Sequence, residues 1–351
     1  MRAVRFSQWK TFPTIEEIEK PTPGPGEVLL KVAGAGACHS DVAIFEDFGP
    51  EMPAAGLLKP TYTLGHENSG WVEELGEGVT GIEKGAAYLV YGPIGCGHCD
   101  MCSRGQDTYC RNVGSKPYLA MGLGRDGGMA EYLVAPARNL VALGDADPVA
   151  AAPLSDAGLT PYHAIKNSMH KLNGGGKTAL VIGLGGLGQL AVQMLIAMTG
   201  ATVIATDQKA DAMERAAARG AKTVPGGEGQ AAAIRELTGG RGVDAVFDFV
   251  GVAPTVKLAM ESVAVLGRVT IVGIAGGTYE WGFYGVPYEA ELLSTYWGTI
   301  EDLHDVVALY RAGQIEPEVE IYSLDDALDA YRKLASGELS ARAVVAPHGR
   351  G

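Results

Sequence analysis

Four of the chain's five cysteines fall within one stretch of fifteen residues: Cys96, Cys99, Cys102 and Cys110. Four thiolates at this spacing can close a tetrahedron around zinc, which leaves no open position and makes the site structural. Two alternatives stay open, an iron–sulfur cluster and four reduced thiols without metal. A ferredoxin-type run has its fourth cysteine followed by proline, whereas here Arg111 follows. The spacing therefore predicts structural zinc, with His98 as a solvated loop residue.

A second pair of candidate zinc ligands lies earlier in the chain. Cys38 stands in Cys38-His39-Ser40-Asp41, and His66 stands in Gly65-His66-Glu67. A catalytic zinc needs three protein ligands and one open position. These residues alone are ambiguous, because a single cysteine is usually core and a single histidine is usually a hydrogen-bonded polar residue. The pair therefore indicates a metal site only if other features support it.

A glycine-rich segment, Gly183-Leu184-Gly185-Gly186-Leu187-Gly188, fits G-x-G-x-x-G. An apolar strand pattern precedes it, an apolar helix pattern follows to about Met198, and a second strand pattern ends on Asp207. Strand, glycines, helix, strand and acid in this order indicate a dinucleotide-binding turn. The alternative is a turn of a parallel sheet that binds no nucleotide.

Each part of this turn has a predicted role toward NAD. Gly183 allows the tight turn, Gly185 lets the backbone approach a pyrophosphate, and Gly188 lets helix pack on strand. The amides of Gly186 and Leu187 begin the helix, where free N–H groups and the helix dipole favour an anion. Asp207 is expected to accept hydrogen bonds from the ribose hydroxyls, which favours NAD over NADP.

Composition limits the class of protein. The chain has 351 residues, of which 47% are hydrophobic, so it is long enough for two domains with buried cores. A net charge of −13 disfavours nucleic acid and anionic membranes as partners. Neither an apolar leader nor a membrane-length apolar run is present, and the clustered cysteines favour metal over disulfides. The predicted location is the cytoplasm.

Secondary-structure patterns divide the chain into two parts. Turn-rich sequence with short apolar runs extends to about residue 150 and predicts a mainly β region. After Pro153, strand and helix patterns alternate, with a sixth strand expected at Leu292 to Trp297. This alternation predicts an α/β fold with a doubly wound parallel sheet.

The motifs, taken in this order, resemble the zinc-dependent alcohol dehydrogenases of the medium-chain dehydrogenase/reductase family over essentially the whole chain. Residues 154–164 and 296–299 resemble bacterial secondary-alcohol dehydrogenases and aryl-aldehyde or aryl-ketone reductases most. The resemblance implies three segments. A GroES-like, mainly β catalytic domain covers 1–157 with a zinc lobe at 93–112, a Rossmann NAD-binding domain covers 158–298, and 299–351 returns to the catalytic domain.

The resemblance also assigns roles to residues near the first metal pair. Cys38 and His66 match zinc ligands, and Glu67 matches a carboxylate close to the metal. Asp41 matches the acid that orients the ligating histidine. Ser40 matches the hydroxyl that takes the alcohol proton.

Further matches concern the coenzyme. His39 matches a contact to the coenzyme phosphate, and Thr160 matches a contact near the nicotinamide. Arg342 matches an arginine that reaches the pyrophosphate, the alternative being a surface salt bridge. Trp297 and Tyr296 are expected in the substrate pocket with Ala43, the alternative for the two aromatic residues being core or dimer packing.

Two departures from the family pattern stand out. Asp156 stands where the usual third zinc ligand is a cysteine, and every cysteine is already assigned, so Asp156 is expected to be the third ligand. The alternative is that Asp156 caps a helix that begins near Ala157, while Glu67 or water completes the shell. Ala43 replaces a histidine of the proton relay, so the relay either passes from Ser40 to a coenzyme ribose hydroxyl and water or is shorter.

The resemblance implies an enzyme that interconverts alcohols, secondary or aryl-substituted, with ketones or aldehydes. Zinc acts as Lewis acid and hydride passes directly to NAD. Two zinc ions per chain and a homodimer or homotetramer are expected. Three alternatives stay open: a polyol or sugar dehydrogenase, a zinc-free quinone or enoyl reductase, and a catalytically inactive nucleotide-binding sensor.

Overall fold

Strands outnumber α-helices in the described part of the chain before residue 157. The computed structural model describes residues 1–52, 55–116 and 118–349. The strands are β1 Arg2–Phe6, β2 Thr14–Glu17, β3 Glu27–Gly36, β4 Tyr62–Thr63, β5 Glu67–Leu75, β6 Ala87–Val90, β7 Ala120–Met121, β8 Gly124–Arg125, β9 Tyr132–Pro136 and β10 Leu140–Ala142. Two helices accompany them, α1 His39–Glu46 and α2 Pro148–Ala151.

Helices and strands alternate in the next part of the chain. Its elements are α3 Leu159–Leu172, β11 Thr178–Ile182, α4 Gly186–Met198, β12 Thr202–Thr206, α5 Ala210–Ala218, β13 Lys222–Thr223, α6 Gln230–Glu236, β14 Val243–Asp248, α7 Ala253–Ser262, β15 Val263–Ile271 and β16 Glu291–Ser294. The last part contains α8 Ile300–Arg311, β17 Val319–Tyr322, α9 Ala327–Ser336 and β18 Arg342–Val345. Across the described ranges, each helix is too short or too polar to span a membrane.

The chain divides into two compact units. The first comprises Met1–Asp156, Thr299–Arg311 and Pro317–Gly351. The second comprises Ala157–Gly298 and Ala312–Glu316. The chain therefore leaves the first unit twice, at Ala157–Gly298 and briefly at Ala312–Glu316, and returns to it each time.

The main sheet of the first unit is built around β3. Its strand order is β10-β6-β5-β3-β18-β17, and β9 also pairs with β3. One edge of β3 pairs with β5, while the other pairs with β9 near its start and with β18 near its end. Strand β18, near the end of the chain, therefore lies beside β3, near its start. Where they meet, an apolar cluster is buried that contains Ala33, Val149, Ala152, Val344 and Ala346.

The second unit holds six parallel strands in the order β13-β12-β11-β14-β15-β16. Strand order reverses between β11 and β14, which confirms the predicted doubly wound sheet. Both strands are buried along their whole length, as expected for central strands covered on both faces. The prediction that the sixth strand reaches Trp297 is wrong: β16 ends at Ser294, and Trp297, beyond that end, has a left-handed backbone (φ 53°).

An ion cluster ties β14 to the start of β11. Asp244 accepts hydrogen bonds from the amide and hydroxyl of Thr178 and from the side chains of Lys177 and Arg241. Burial raises the pKa of Asp244, but the hydrogen bonds from Arg241, Thr178 and Lys177 outweigh it and lower the pKa to about 2. The carboxylate therefore stays ionised and holds the two central strands in register.

Candidate active site

Three candidate zinc ligands from distant parts of the sequence meet in the first unit. Cys38 immediately precedes α1, His66 immediately precedes β5, and Asp156 follows a 3-10 turn at Ala152–Ser155. Their ligand atoms all lie within 4.8 Å of one another. The sequence thus predicted correctly which three side chains converge.

The spacing of these atoms fits a tetrahedral zinc. Ordinary bond lengths separate a nitrogen and an oxygen ligand by about 3.4 Å, and an oxygen and a sulfur ligand by about 3.6 Å. Oδ2 of Asp156 lies 3.7 Å from Nε2 of His66 and 4.0 Å from Sγ of Cys38. The N-cap of the next helix, which begins at Leu159, is Gly158 and not Asp156. The structure therefore contains a three-ligand zinc site of the catalytic type.

A buried carboxylate orients the ligating histidine. Oδ1 of Asp41 lies 2.9 Å from Nδ1 of His66, and Asp41 is fully buried. An ionised Asp41 favours the proton on Nδ1, which leaves the lone pair of Nε2 for a metal. Burial lowers the pKa of His66, but Asp41, Asp156 and Cys38 outweigh burial and hold it well above its usual value.

The hydroxyl of Ser40 lies beside the same ligands. Its Oγ is 3.0 Å from Sγ of Cys38 and 3.4 Å from Nε2 of His66. The first turn of α1 achieves this, because Cys38 is its N-cap and Ser40 is its second residue. His39, between them, is exposed, and Ala43, one turn later, is half-buried.

Glu67 and Arg342 form a buried ion pair next to the ligands. Nε of Arg342 donates to Oε2 of Glu67 at 2.9 Å, and Nη2 donates to Oε1. The side chains are 7% and 0% exposed, so the surface salt bridge considered for Arg342 is not what forms. Burial raises the pKa of Glu67, and Arg342 opposes that rise.

The backbone explains how this pair is possible. Gly36 pairs with Glu67 across β3 and β5, and with Val344 across β3 and β18. A Cβ at Gly36 would lie 1.9 Å from Oε2 of Glu67. Glycine is therefore required where the Glu67 side chain crosses β3 toward Arg342.

Sequence reasoning missed one residue of this site, Tyr331. Its hydroxyl donates to Oδ2 of Asp41 at 3.1 Å, from helix α9. The only available signal was the buried face of α9, which includes Ala327, Ala330 and Leu334 at helical spacing. A buried tyrosine on such a face needs a hydrogen-bond partner, but the spacing does not reveal which one.

The four-cysteine lobe has the geometry of a closed zinc site. All four sulfurs lie within 4.8 Å of one another, with Cys96–Cys102 at 4.0 Å and Cys99–Cys102 at 3.5 Å. A tetrahedral four-thiolate zinc requires about 3.8 Å. Backbone amides lower the pKa of Cys96 to about 5, the amide of His98 most, so this sulfur is prepared as a thiolate. The predicted structural zinc site is confirmed, and His98 is exposed as expected.

Asp107 and Arg138 brace this lobe. Asp107 is buried, accepts two hydrogen bonds from Arg138, and accepts a third from the amide of Gly95. Arg138 also donates to the carbonyl of Cys102. A Cβ at Gly95 would lie 2.3 Å from the sulfur of Cys102, so glycine is needed for the sulfur to reach its position.

In the second unit, the three motif glycines show three different environments. Gly183 has a positive φ of 86°, as a tight turn requires. A Cβ at Gly188 would lie 1.8 Å from the carbonyl of Gly183, so this glycine allows α4 to pack on β11. A Cβ at Gly185 would meet no atom within 4 Å, so packing does not explain that glycine.

Gly185 is also the N-cap of α4, and it contributes no side-chain cap to the helix. Asp207 follows β12, and its carboxylate accepts the amides of Leu184 at 2.6 Å and Lys209 at 2.8 Å. The helix start and the acid therefore lie at adjoining strand ends, as nucleotide binding requires.

Three more predicted contact residues lie in the second unit. Thr160 is buried in the first turn of α3. Trp297 is 5% exposed and Tyr296 is 48% exposed, and their rings make an edge contact at 6.1 Å. The structure brings the two aromatic side chains together as a pair.

A three-ligand metal site, a closed four-thiolate site and a dinucleotide turn define a zinc-containing, nucleotide-dependent dehydrogenase. Two family profiles match the chain, "Alcohol dehydrogenase GroES-like domain" over residues 24–145 and "Zinc-binding dehydrogenase" over 186–311. The chain belongs to the zinc-containing alcohol dehydrogenases of the medium-chain dehydrogenase/reductase family. Its enzyme class is NAD-dependent alcohol dehydrogenase.

Individual relatives agree with this assignment over almost the full length. An NAD-dependent alcohol dehydrogenase of Sulfolobus acidocaldarius is 34% identical, covering 94% of this chain and 95% of the relative. The crystal structure of the Aeropyrum pernix alcohol dehydrogenase is 35% identical with a TM-score of 0.89, covering 99% and 100%. Acetophenone reductase from Geotrichum candidum, solved with NAD, is 32% identical with a TM-score of 0.84, covering 98% and 96%.

Proposed function

We propose that the protein interconverts secondary or aryl-substituted alcohols with the corresponding ketones or aldehydes, using NAD. The observation that carries the alcohol chemistry is the convergence of Cys38, His66 and Asp156, three ligands that leave a tetrahedral zinc one open position. Zinc held there would supply Lewis-acid polarisation of the substrate oxygen, and NAD would supply hydride transfer.

The chain's own residues then have separate tasks. Asp41 keeps the proton of His66 on Nδ1, and Ser40 takes the alcohol proton on its Oγ. Because position 43 is alanine, the proton leaves Ser40 through a coenzyme ribose hydroxyl and water. Glu67 is held near the ligands by Arg342, whose remaining N–H groups we assign to the coenzyme pyrophosphate.

We also propose the roles of the chain segments and the remaining coenzyme contacts. Residues 158–298 form the NAD-binding domain, and 1–157 with 299–351 form the catalytic domain. The amides that begin α4, at Gly186 and Leu187, take the pyrophosphate, and Asp207 takes the ribose hydroxyls. His39 and Thr160 complete the set, toward the phosphate and the nicotinamide.

Two features support the preference for secondary or aryl substrates. Tyr296 and Trp297 offer aromatic surface, and Ala43 is the small residue that we propose for the substrate pocket. A related structure, at 32% identity, is an acetophenone reductase. A sugar or polyol substrate would instead need several polar side chains in its pocket.

A substrate panel tests the proposal. Purified enzyme with NAD is given 1-phenylethanol, 2-octanol, ethanol, sorbitol and arabinose, and NADH absorbance is followed. We expect the highest kcat/KM with 1-phenylethanol or 2-octanol, and Trp297→Ala should reduce that preference. A higher kcat/KM with sorbitol or arabinose would refute the proposed substrate class, and no turnover with any alcohol would refute the activity.

The homodimer or homotetramer and the cytoplasmic location are proposed on the same resemblance, and light scattering of the purified protein tests the assembly.

A further inference from the structure

The buried carboxylate of Asp41 is held from three sides. Oδ1 lies 2.9 Å from Nδ1 of His66. Oδ2 accepts the amide of Cys38 at 3.1 Å and the hydroxyl of Tyr331 at 3.1 Å. Asp41 and Tyr331 are both 0% exposed, so no water competes for these hydrogen bonds. Cys38 and His66, two of the three zinc ligands, are therefore both hydrogen-bonded to the carboxylate of Asp41. Of the three partners named here, Tyr331 is the one that is not a zinc ligand.

Packing of the Tyr331 ring against α1 positions its hydroxyl. The ring contacts Phe45 of α1 edge-on at a centroid distance of 5.6 Å, and α9 packs on α1. Asp41 lies on that same helix α1, one turn before Phe45. The ring is thus packed against the helix that carries the carboxylate, and this rigid ring places the hydroxyl within hydrogen-bond distance of Oδ2 of Asp41.

The hydrogen bond constrains how the carboxylate can turn. Without the Tyr331 hydroxyl, Oδ2 would keep one donor, the amide of Cys38, and the carboxylate could turn more freely about its Cβ–Cγ bond than it can with two donors on Oδ2. Burial and the charge of Asp41 hold the pKa of Tyr331 well above its usual value, so its hydroxyl stays protonated and remains a donor.

We propose that Tyr331 is a positioning residue for the catalytic metal: its hydroxyl locks Asp41, and Asp41 in turn aims Nε2 of His66 at the zinc. This inference rests on the proposed function in one respect, that zinc binds to Cys38, His66 and Asp156. Tyr331 acts through Asp41 and is not expected to touch substrate or coenzyme.

The test compares two tyrosines that each lose only a hydroxyl. Tyr331→Phe removes the donor to Asp41. Tyr62→Phe is the matched control, because Tyr62 is 1% exposed and, within the described residues, its hydroxyl makes no hydrogen bond to Asp41. Zinc-loaded protein is mixed with a chromogenic chelator, and release of the two zinc ions is followed as two kinetic phases.

We expect Tyr331→Phe to speed release of the catalytic zinc about 10-fold, the lower end of what loss of an outer-shell partner costs. Release from the four-cysteine lobe should stay unchanged, and Tyr62→Phe should alter neither phase. In an Asp41→Asn background, Tyr331→Phe should add less than a twofold change, because the carboxylate through which it acts is gone.

Three outcomes would overturn the inference. Catalytic zinc release could be unchanged in Tyr331→Phe, both phases could accelerate equally, or the effect could persist in full with Asp41→Asn. The second and third would show a purely structural role. Failure of the proposed function looks different, since wild-type protein would then release only one zinc ion per chain.

Discussion

Replacement of Asp156 is the sharpest test of the metal centre. Asp156→Ala and Asp156→Asn each remove one of three protein ligands. The fold should tolerate both, because the Asp156 side chain is 16% exposed and the preceding residue anchors the segment. The hydroxyl of Ser155 accepts the amide of Asn68 and donates to the carbonyl of Ala152.

The expected size of the effect follows from the role of Asp156 as a direct ligand. Loss of an outer-shell partner typically lowers metal affinity 10- to 100-fold. Loss of a ligand itself should exceed that range, so we expect at least about a 100-fold loss, or about 2.7 kcal/mol. Asp156→Cys should retain the metal, because thiolate is a good zinc ligand.

Zinc content after dialysis against a weak chelator measures this directly. Wild type and Asp156→Cys should hold two zinc ions per chain, and Asp156→Ala and Asp156→Asn should hold one. The four-cysteine site serves as the internal control, and activity should fall with the lost zinc. Two zinc ions and near-normal turnover in Asp156→Ala would refute the ligand assignment. Glu67 or water would then have to complete the shell, and Glu67 could do so only if its ion pair with Arg342 broke.

Three further predictions concern the second unit. Gly188→Ala should lower the free energy of unfolding measured by urea denaturation, because its Cβ would collide with a carbonyl. Gly185→Ala should leave that free energy unchanged and weaken NAD binding measured by calorimetry. Asp207→Ala should narrow the ratio of kcat/KM with NAD to that with NADP about 10-fold or more, and a higher wild-type kcat/KM with NADP would contradict the assigned role. Asp244→Asn should lose about 2 kcal/mol at pH 7. That stability depends on a carboxylate with a pKa of about 2, so the difference from wild type should shrink as pH falls from about 4 toward 2, and a pH-independent loss would contradict it.

The sequence predicted the elements that local patterns control. The alternation of strands and helices after Pro153 predicted the succession of elements in the second unit, because the central strands β11, β12 and β14 are mainly apolar runs bounded by turns. The cysteine lobe was predictable since its ligands lie within fifteen residues. The backbone of Trp297 was not, because a left-handed φ in a bulky residue is imposed by tertiary packing.

The partners of buried polar groups were harder to predict than the metal ligands. Resemblance to a family identified Cys38, His66 and Asp156, but it assigned Arg342 to the coenzyme and gave no indication of Glu67 as its partner. Helical spacing showed that Tyr331 is buried without showing that Asp41 accepts its hydrogen bond. Both pairings depend on where the last part of the chain packs on the first, which local sequence does not encode.

The return of the chain to its first unit sets an order of events during synthesis. Arg342 follows its partner Glu67 by 275 residues, and Tyr331 follows Asp41 by 290. At about 5–20 residues per second, a ribosome needs about 14 s to 1 min to cover that distance. Cys38, His66 and Asp156 all emerge before then, so a nascent chain presents its three zinc ligands while Glu67 still lacks its guanidinium and Asp41 still lacks its tyrosine. Zinc that binds during this interval finds all three ligands, but Asp41 and Glu67 have not yet formed their hydrogen bonds with Tyr331 and Arg342. The metal centre is complete only when α9 and β18 pack on the earlier part of the first unit.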